Sequence, residues 1–290
     1  MSGPEITIGF IGLGNMGNPI ATNLAQAGAT LVVFDAAGTA ERAPEGAAVA
    51  ESVEEVARDA DILLLSLPDG AIVLEVAKAV VSAEGRRADT VVDLSTIGIE
   101  AGQKLASTLS EAGIDYLEAP VSGGVNGAKA ATLAVMAAGE AEVWERIGPL
   151  LEPMSAKRFL VGREPGQAQA MKVLNNFLSA TAMAATSEAF IFGERQGLDP
   201  KTMLDVLNAS SGQNTATSDK FPRLLEDGEK LGFRATLLWK DVSLYLAGAR
   251  ASDAAGDVSE AVGGIWSALA EAEPEADFSA VLRFTRGLSE

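Results

Sequence analysis

Lys172, Asn175, Asn176 and Ser179 recur at intervals of three and four in a stretch otherwise rich in alanine, leucine and methionine. On a helix that spacing sets one cation, two amides and a hydroxyl on a single face. Packing alone explains such a stripe poorly, because buried polar groups need partners, and a plain solvated face more often carries glutamate and lysine. A second group, Ala119-Pro120-Val121-Ser122-Gly123-Gly124, follows an apolar strand-like run. Its Ser122, Gly123 and Gly124 offer a hydroxyl and unobstructed backbone N–H groups to an anion, although a simple glycine turn would have the same composition. A third, Lys240-Asp241, lies near the start of a later helix and taken alone reads as a surface ion pair.

The composition narrows what these groups can do. The chain has no cysteine and no histidine. That excludes thiolate nucleophiles, disulfides, Cys/His zinc sites and every mechanism with imidazole as acid or base. No metal centre is expected. The only tyrosines, Tyr116 and Tyr245, have no lysine four residues on, so a Tyr-Lys proton relay is absent too. For a redox reaction at a hydroxyl carbon, the remaining proton carrier is a lysine. It would have to be neutral at working pH, which requires a pKa lowered from ~10.4 by desolvation and a nearby cation such as Lys240.

A redox reading is warranted by the first 35 residues. The apolar run Ile6 to Ile11 leads directly into Gly12-Leu13-Gly14-Asn15-Met16-Gly17, and a second apolar run, Leu31 to Phe34, ends on Asp35. This is the order of a dinucleotide-binding unit. Gly12 permits the turn from strand to helix, Gly14 lets backbone approach a pyrophosphate, and Gly17 lets helix and strand pack closely. The pyrophosphate would sit at the start of the following helix. A carboxylate at Asp35 can accept both hydroxyls of the adenosine ribose and repels a 2′-phosphate, so the expected cofactor is NAD rather than NADP.

The elements that must carry these residues follow from periodicity. Ile62 to Ser66, Thr90 to Asp93, Ile114 to Leu117, Thr132 to Ala137 and Arg158 to Val161 read as strands, and Val53 to Ala60, Ile72 to Val81 and Ala101 to Ala112 as helices between them. The alternation predicts an α/β fold with a doubly wound, mostly parallel sheet of Rossmann type. From Gln167 to Arg195 there is no proline and no glycine before Gly193, which predicts one helix of ~40 Å, stopped by Gly197 and Pro200. Pro200 to Asn208, Leu237 to Ala251 and Ser259 to Glu271 continue as helices. The expected organisation is therefore a cofactor domain over 1–162 and an all-helical domain over 163–290, joined by the long helix. A net charge of −18 argues against nucleic acid or an anionic membrane as partner. Met1 to Glu5 carries no basic leader, and the expected location is the cytoplasm.

Taken together, Gly9 to Gly17, Asp93-Leu94-Ser95-Thr96, Pro120 to Gly124 with Gly127-Ala128, Gly166 to Asn176 and Lys240-Asp241 resemble the 3-hydroxyisobutyrate dehydrogenase family of β-hydroxyacid dehydrogenases, in order and over nearly the whole chain. The resemblance implies that Lys172 is the catalytic acid/base and that Asn176 positions substrate near it. It further implies that Ser122, Gly123 and Gly124 hold the substrate carboxylate, with Asn175 and Ser179 on the same helix face as substrate-binding candidates. Leu67, Pro68 and Thr96 would line the cofactor groove, and Lys240 would lie beside the nicotinamide end. The implied substrate is a small anionic 3-hydroxy acid or its semialdehyde, and the implied assembly a homodimer or homotetramer. Side chains that would separate one substrate from another are expected at Asn126, Ser179, Phe233 and Lys240. Ala131 departs from the family, which usually has glycine there; the extra methyl is expected to tighten the substrate loop.

Overall fold

A computed structural model describes residues 6–228 and 231–288 of the chain. Met1 to Glu5, where no leader is read, lies outside the described residues. Contacts divide the chain into two compact units, Met1–Lys172 and Val173–Glu290.

The N-terminal unit is built on a nine-stranded sheet. Its strands are β1 (Thr7–Ile11), β2 (Thr30–Phe34), β3 (Ala48–Val49), β4 (Ile62–Leu65), β5 (Thr90–Asp93), β6 (Asp115–Glu118), β7 (Val121–Ser122), β8 (Leu133–Ala138) and β9 (Ser155–Gly162). From β3 through β2, β1, β4 and β5 to β6 every pairing is parallel. Alternate residues of the apolar strands feed opposite faces. Ile8, Phe10, Val33, Leu64 and Val92 join one core, and Ile11, Val32, Leu63, Leu65 and Val91 the other. Both faces are covered, which is why these strands are continuously apolar in sequence. On the first face pack α1 (Gly17–Gln26), α5 (Gly124–Lys129) and α6 (Ala141–Ile147); on the second, α2 (Val53–Asp59), α3 (Gly70–Ser82) and α4 (Ile99–Glu111).

At the far side of the mostly parallel sheet the pairing turns antiparallel. β6 and β7 pair antiparallel with β8 in one continuous register, Glu118 opposite Ala138 and Val121 opposite Val135. They are a single run interrupted at Pro120, which has no N–H to donate to the ladder. The Pro120 carbonyl still accepts the Met136 N–H at 3.0 Å. Ser122 is thus the last residue of a short strand rather than part of a free loop, and Gly124 opens a helix.

The second unit is helical after α7 (Gln167–Arg195), whose bounds are those read from the sequence: α8 (Pro200–Asn208), α9 (Phe221–Asp227), α10 (Ala235–Ala251), α11 (Asp257–Ala272) and α12 (Val281–Leu288). Phe177, Phe190, Phe221, Trp266 and Phe278 anchor its core. Phe177 stacks on Tyr245 at 4.0 Å between centroids, and the Trp266 indole N–H donates to the Ala180 carbonyl at 3.3 Å, so α10 and α11 both grip α7. A π-helical turn, Ala216–Lys220, precedes α9, where Pro222 has no N–H to return to the Ser218 carbonyl. Among the described residues no helix is long and apolar enough to cross a membrane.

Candidate active site

The glycine segment leaves β1 and turns into α1. Gly12 has φ +97°, and a Cβ there would run into the Ser66 carbonyl oxygen; one on Gly17 would run into the Gly12 carbonyl oxygen. These two contacts are the close turn and close helix packing that the motif requires. Beside Gly14 there is open space on the Cβ side, and Gly14 and Asn15 are exposed while Leu13 is buried and Met16 half-buried. The loop therefore has the cradle that a pyrophosphate needs. Asp35 closes β2, and its carboxylate accepts the Leu13 N–H at 2.6 Å and the Ala37 N–H at 2.8 Å. It also pairs with the Arg42 guanidinium at 2.7 Å, and this carboxylate is thus both an orienter of the glycine loop and a neighbour of a cation. Leu67 packs against Gly12, and its N–H donates to Ser95 Oγ at 2.9 Å, tying together the ends of β4 and β5 where Pro68 and Thr96 also lie.

Lys172 sits in the second turn of α7 and is 7% exposed. Its helix is held at the start by two buried side chains, one from the sheet and one from its own first turn. Glu118, fully buried at the end of β6, accepts the Gly166 N–H at 2.6 Å and the Ala168 N–H at 3.1 Å. A carboxylate there satisfies N–H groups that a helix start leaves without internal partners and complements the helix dipole. Burial pushes the Glu118 carboxyl above its ordinary range, with the backbone N–H groups of Gly166, Gln169 and Ala168 pulling it back. Gly102 of α4 makes room, since a Cβ there would press on the Glu118 carboxylate. Gln169 completes the clamp: its Oε1 accepts the Ile97 and Gly98 N–H groups at 2.9 and 3.2 Å, and its Nε2 donates to the Ser95 carbonyl at 3.1 Å. Lys172 is thereby fixed one turn beyond a helix start docked on the carboxyl ends of β5 and β6.

Ser122 continues from the same strand end. Gly123 and Gly124 both have positive φ, +135° and +62°, and the space beside Gly124 is open. α5, which follows them, is moored to α1 by Asn23 Nδ2 donating to the Ala128 carbonyl at 2.6 Å. Ala131, at the end of this segment, takes φ +56°, the left-handed region where glycine is the unstrained choice.

In the second unit the amides of the stripe belong to a network. Asn175 Nδ2 donates to Asn176 Oδ1 at 3.2 Å, and Asn176 Nδ2 donates to Asp241 Oδ2 at 2.6 Å. Lys240 Nζ lies 3.3 Å from the other Asp241 oxygen. The Lys240-Asp241 pair is not a surface ion pair, because Asp241 is 4% exposed. Ser179, at the end of the stripe, accepts from Lys220 Nζ at 2.6 Å. Glu118, Gln169 and Lys220 carry no local sequence signal; Asp241 was visible only as the neighbour of Lys240.

A glycine turn at the carboxyl end of β1, an acid closing β2, and a buried lysine on a helix docked beside the same sheet fit a nicotinamide-dependent oxidoreductase of Rossmann type. Residues 7–162 match the NAD-binding domain of 6-phosphogluconate dehydrogenase, and residues 166–285 match the NAD-binding domain of NADP-dependent 3-hydroxyisobutyrate dehydrogenase. The chain is 38% identical to 2-(hydroxymethyl)glutarate dehydrogenase of Eubacterium barkeri over 83% of this chain and 82% of that one. It is 35% identical to 3-hydroxyisobutyrate dehydrogenase of Pseudomonas aeruginosa over 97% and 98%. The solved 3-hydroxyisobutyrate dehydrogenase of Mycobacterium tuberculosis, with L-serine, superposes with a TM-score of 0.88 at 34% identity, covering 97% of this chain and 99% of that one. The chain belongs to the 3-hydroxyisobutyrate dehydrogenase family, and it is an NAD-binding dehydrogenase of hydroxy acids.

Proposed function

We propose that the protein interconverts a small 3-hydroxy acid and its semialdehyde, with Lys172 as the general acid/base. The observation that carries this reading is the placement of a buried lysine one turn after a helix start clamped by Glu118 and Gln169, on the same strand ends as the Ser122-Gly123-Gly124 segment. Bound NAD supplies the hydride acceptor. In the oxidation, Lys172 Nζ takes the proton from the substrate hydroxyl, and in the reverse direction it returns that proton to the carbonyl oxygen. The Ser122 hydroxyl and the backbone N–H groups of Gly123 and Gly124 hold the substrate carboxylate. Asn176, held by Asp241, orients the hydroxyl-bearing carbon. The relatives support the class of substrate by their names: 3-hydroxyisobutyrate and 2-(hydroxymethyl)glutarate share a carboxylate, a substituted α-carbon and a primary alcohol. Asp35 favours NAD over NADP. Exposed Met171, Leu174 and Leu178 along α7 support assembly into a homo-oligomer.

The test follows reduced-nicotinamide absorbance with NAD or NADP and a panel of 3-hydroxy acids, beside Lys172→Ala. The expected result is NAD-dependent turnover that falls at least ~100-fold in the variant while NAD affinity is retained. Turnover that survives in Lys172→Ala, or NAD binding with no turnover of any 3-hydroxy acid, would overturn the reading.

A further inference from the structure

The Asp35 carboxylate, expected to receive the adenosine ribose, is already largely engaged within the chain. Oδ2 accepts the Leu13 N–H at 2.6 Å, while Oδ1 accepts both the Ala37 N–H at 2.8 Å and Arg42 Nη1 at 2.7 Å. A carboxylate offers about four lone-pair positions, so with Arg42 in place roughly one is left. A ribose brings two neighbouring hydroxyls. Asp35 can accept both only if the guanidinium moves away.

The segment after β2 is folded so as to keep Arg42 there. Thr39 is buried, and its hydroxyl accepts the Asp35 N–H at 2.9 Å and donates to the Asp35 carbonyl at 3.2 Å. The Arg42 N–H donates to the Thr39 carbonyl at 3.0 Å, and Asn18 Nδ2 of α1 donates to the Arg42 carbonyl at 2.7 Å. The Arg42 side chain is 40% exposed against 11% for Asp35. A guanidinium has five N–H donors, and among the described residues Asp35 alone takes one from Arg42. All of these groups belong to the N-terminal unit, and Leu13, whose N–H Asp35 holds, is in the glycine loop itself.

We infer that Arg42 sets the cofactor range: its guanidinium binds the 2′-phosphate of NADP, and the chain takes NADP alongside NAD. An acid at the end of the second strand discriminates by repelling that phosphate. Here the repelling charge is matched at 2.7 Å by a cation whose planar fork suits phosphate oxygens. With NAD, the free position on Asp35 holds one ribose hydroxyl instead of two, so the preference that Asp35 gives to NAD is small. The inference rests on the reading of Asp35 as the ribose-side acid and is independent of Lys172 and of which hydroxy acid is turned over.

Titration calorimetry of the full chain with NAD and with NADP, no substrate present, tests this without recourse to turnover. The wild type is expected to bind NADP within about tenfold of NAD. In Arg42→Ala the NADP affinity falls about 10- to 100-fold, because the phosphate loses a charged donor and meets the bare Asp35 charge. NAD affinity in that variant holds or rises, since Oδ1 is opened to the second ribose hydroxyl, and Arg42→Lys keeps part of the NADP binding. Melting temperatures confirm that the variants fold. A wild type that binds NADP more than about tenfold more weakly than NAD overturns the inference and leaves the proposed activity standing. So does an Arg42→Ala variant whose NADP-to-NAD ratio is unchanged, which would make Arg42 a brace for the loop and nothing more. Binding of neither dinucleotide by the wild type overturns the reading of Asp35 itself, and this inference with it.

Discussion

Asn176 can orient a substrate only if its own amide is held, and Asp241 is the group that holds it. In Asp241→Asn the shape is preserved and one oxygen still faces Asn176 Nδ2, but the bond changes from charge-assisted to neutral, a loss of about 1 kcal/mol. The new amide nitrogen turns toward Lys240, which loses the Asp241 charge beside it. Lys240 is 29% exposed, so solvent screening holds that second penalty to about 1 kcal/mol or less. A transition-state cost of roughly 1–2 kcal/mol corresponds to about a 5- to 30-fold fall in kcat/KM. Asp241→Ala removes the carboxylate that accepts from Asn176 Nδ2 and should fall further, by about 100-fold. Steady-state kinetics on the best 3-hydroxy acid, with melting temperatures to confirm folding, give the order Asp, Asn, Ala. The decisive comparison is a cycle with Asn176→Ala: once Asn176 is gone, Asp241→Asn should cost little more. Additive losses in that cycle, or an Asp241→Asn enzyme within twofold of wild type, would refute the positioning argument.

Two further expectations concern stability. Because burial raises the Glu118 carboxyl above its ordinary 4.5, the folded chain binds that proton more tightly than the unfolded chain, so its favourable contribution is complete below about pH 4.5 and is lost as pH rises through the raised value. Glu118→Gln also exchanges one acceptor for a donor against the α7 start, at roughly 1–3 kcal/mol. Its deficit relative to wild type, measured by thermal melts across a pH series, should be largest near pH 4 and shrink toward pH 8; a deficit that grows with pH would contradict the assignment. Ala131→Gly relieves a left-handed alanine worth about 1–2 kcal/mol and adds unfolded-chain freedom of about 0.4–1 kcal/mol, for a net gain near 0.5–1 kcal/mol. A melting temperature unchanged or lowered would show that the loop relaxes by another route.

The legible parts of the chain were those governed by local rules. α7 emerges with its observed bounds because nothing inside Gln167 to Arg195 breaks a helix, whereas Gly197 and Pro200 beyond it do. The central strands are visible because burial on both faces makes them continuously apolar. β3 and β7 are hidden, being two residues long and defined by their partners in the sheet. α5, with the sequence GVNGAK, has no apolar period to announce it. The same limit applies around the site. The helical spacing of Lys172, Asn175, Asn176 and Ser179 is a local fact, but Asn176 meets Asp241 across 65 residues, Glu118 meets Gly166 across 48, and Ser179 meets Lys220 across 41. Adjacent Lys240 and Asp241 resemble a surface pair because sequence cannot show that α10 buries only the second of them.

The clamp of Glu118 and Gln169 on the first turn of α7 also makes the placement of that helix depend on the sheet. Gly166 and Ala168 donate to a side chain that exists in position only once β6 has joined the sheet, and Gln169 reaches backbone that is in place only once β5 has done so. α7 can coil on its local propensity, yet the turn bearing Lys172 takes its unique placement from the strands on which it rests. The second turn of α7, with Lys172, therefore has its place only on the completed sheet, and a chain in which β5 and β6 are not yet paired lacks that placement even if its glycine loop has formed.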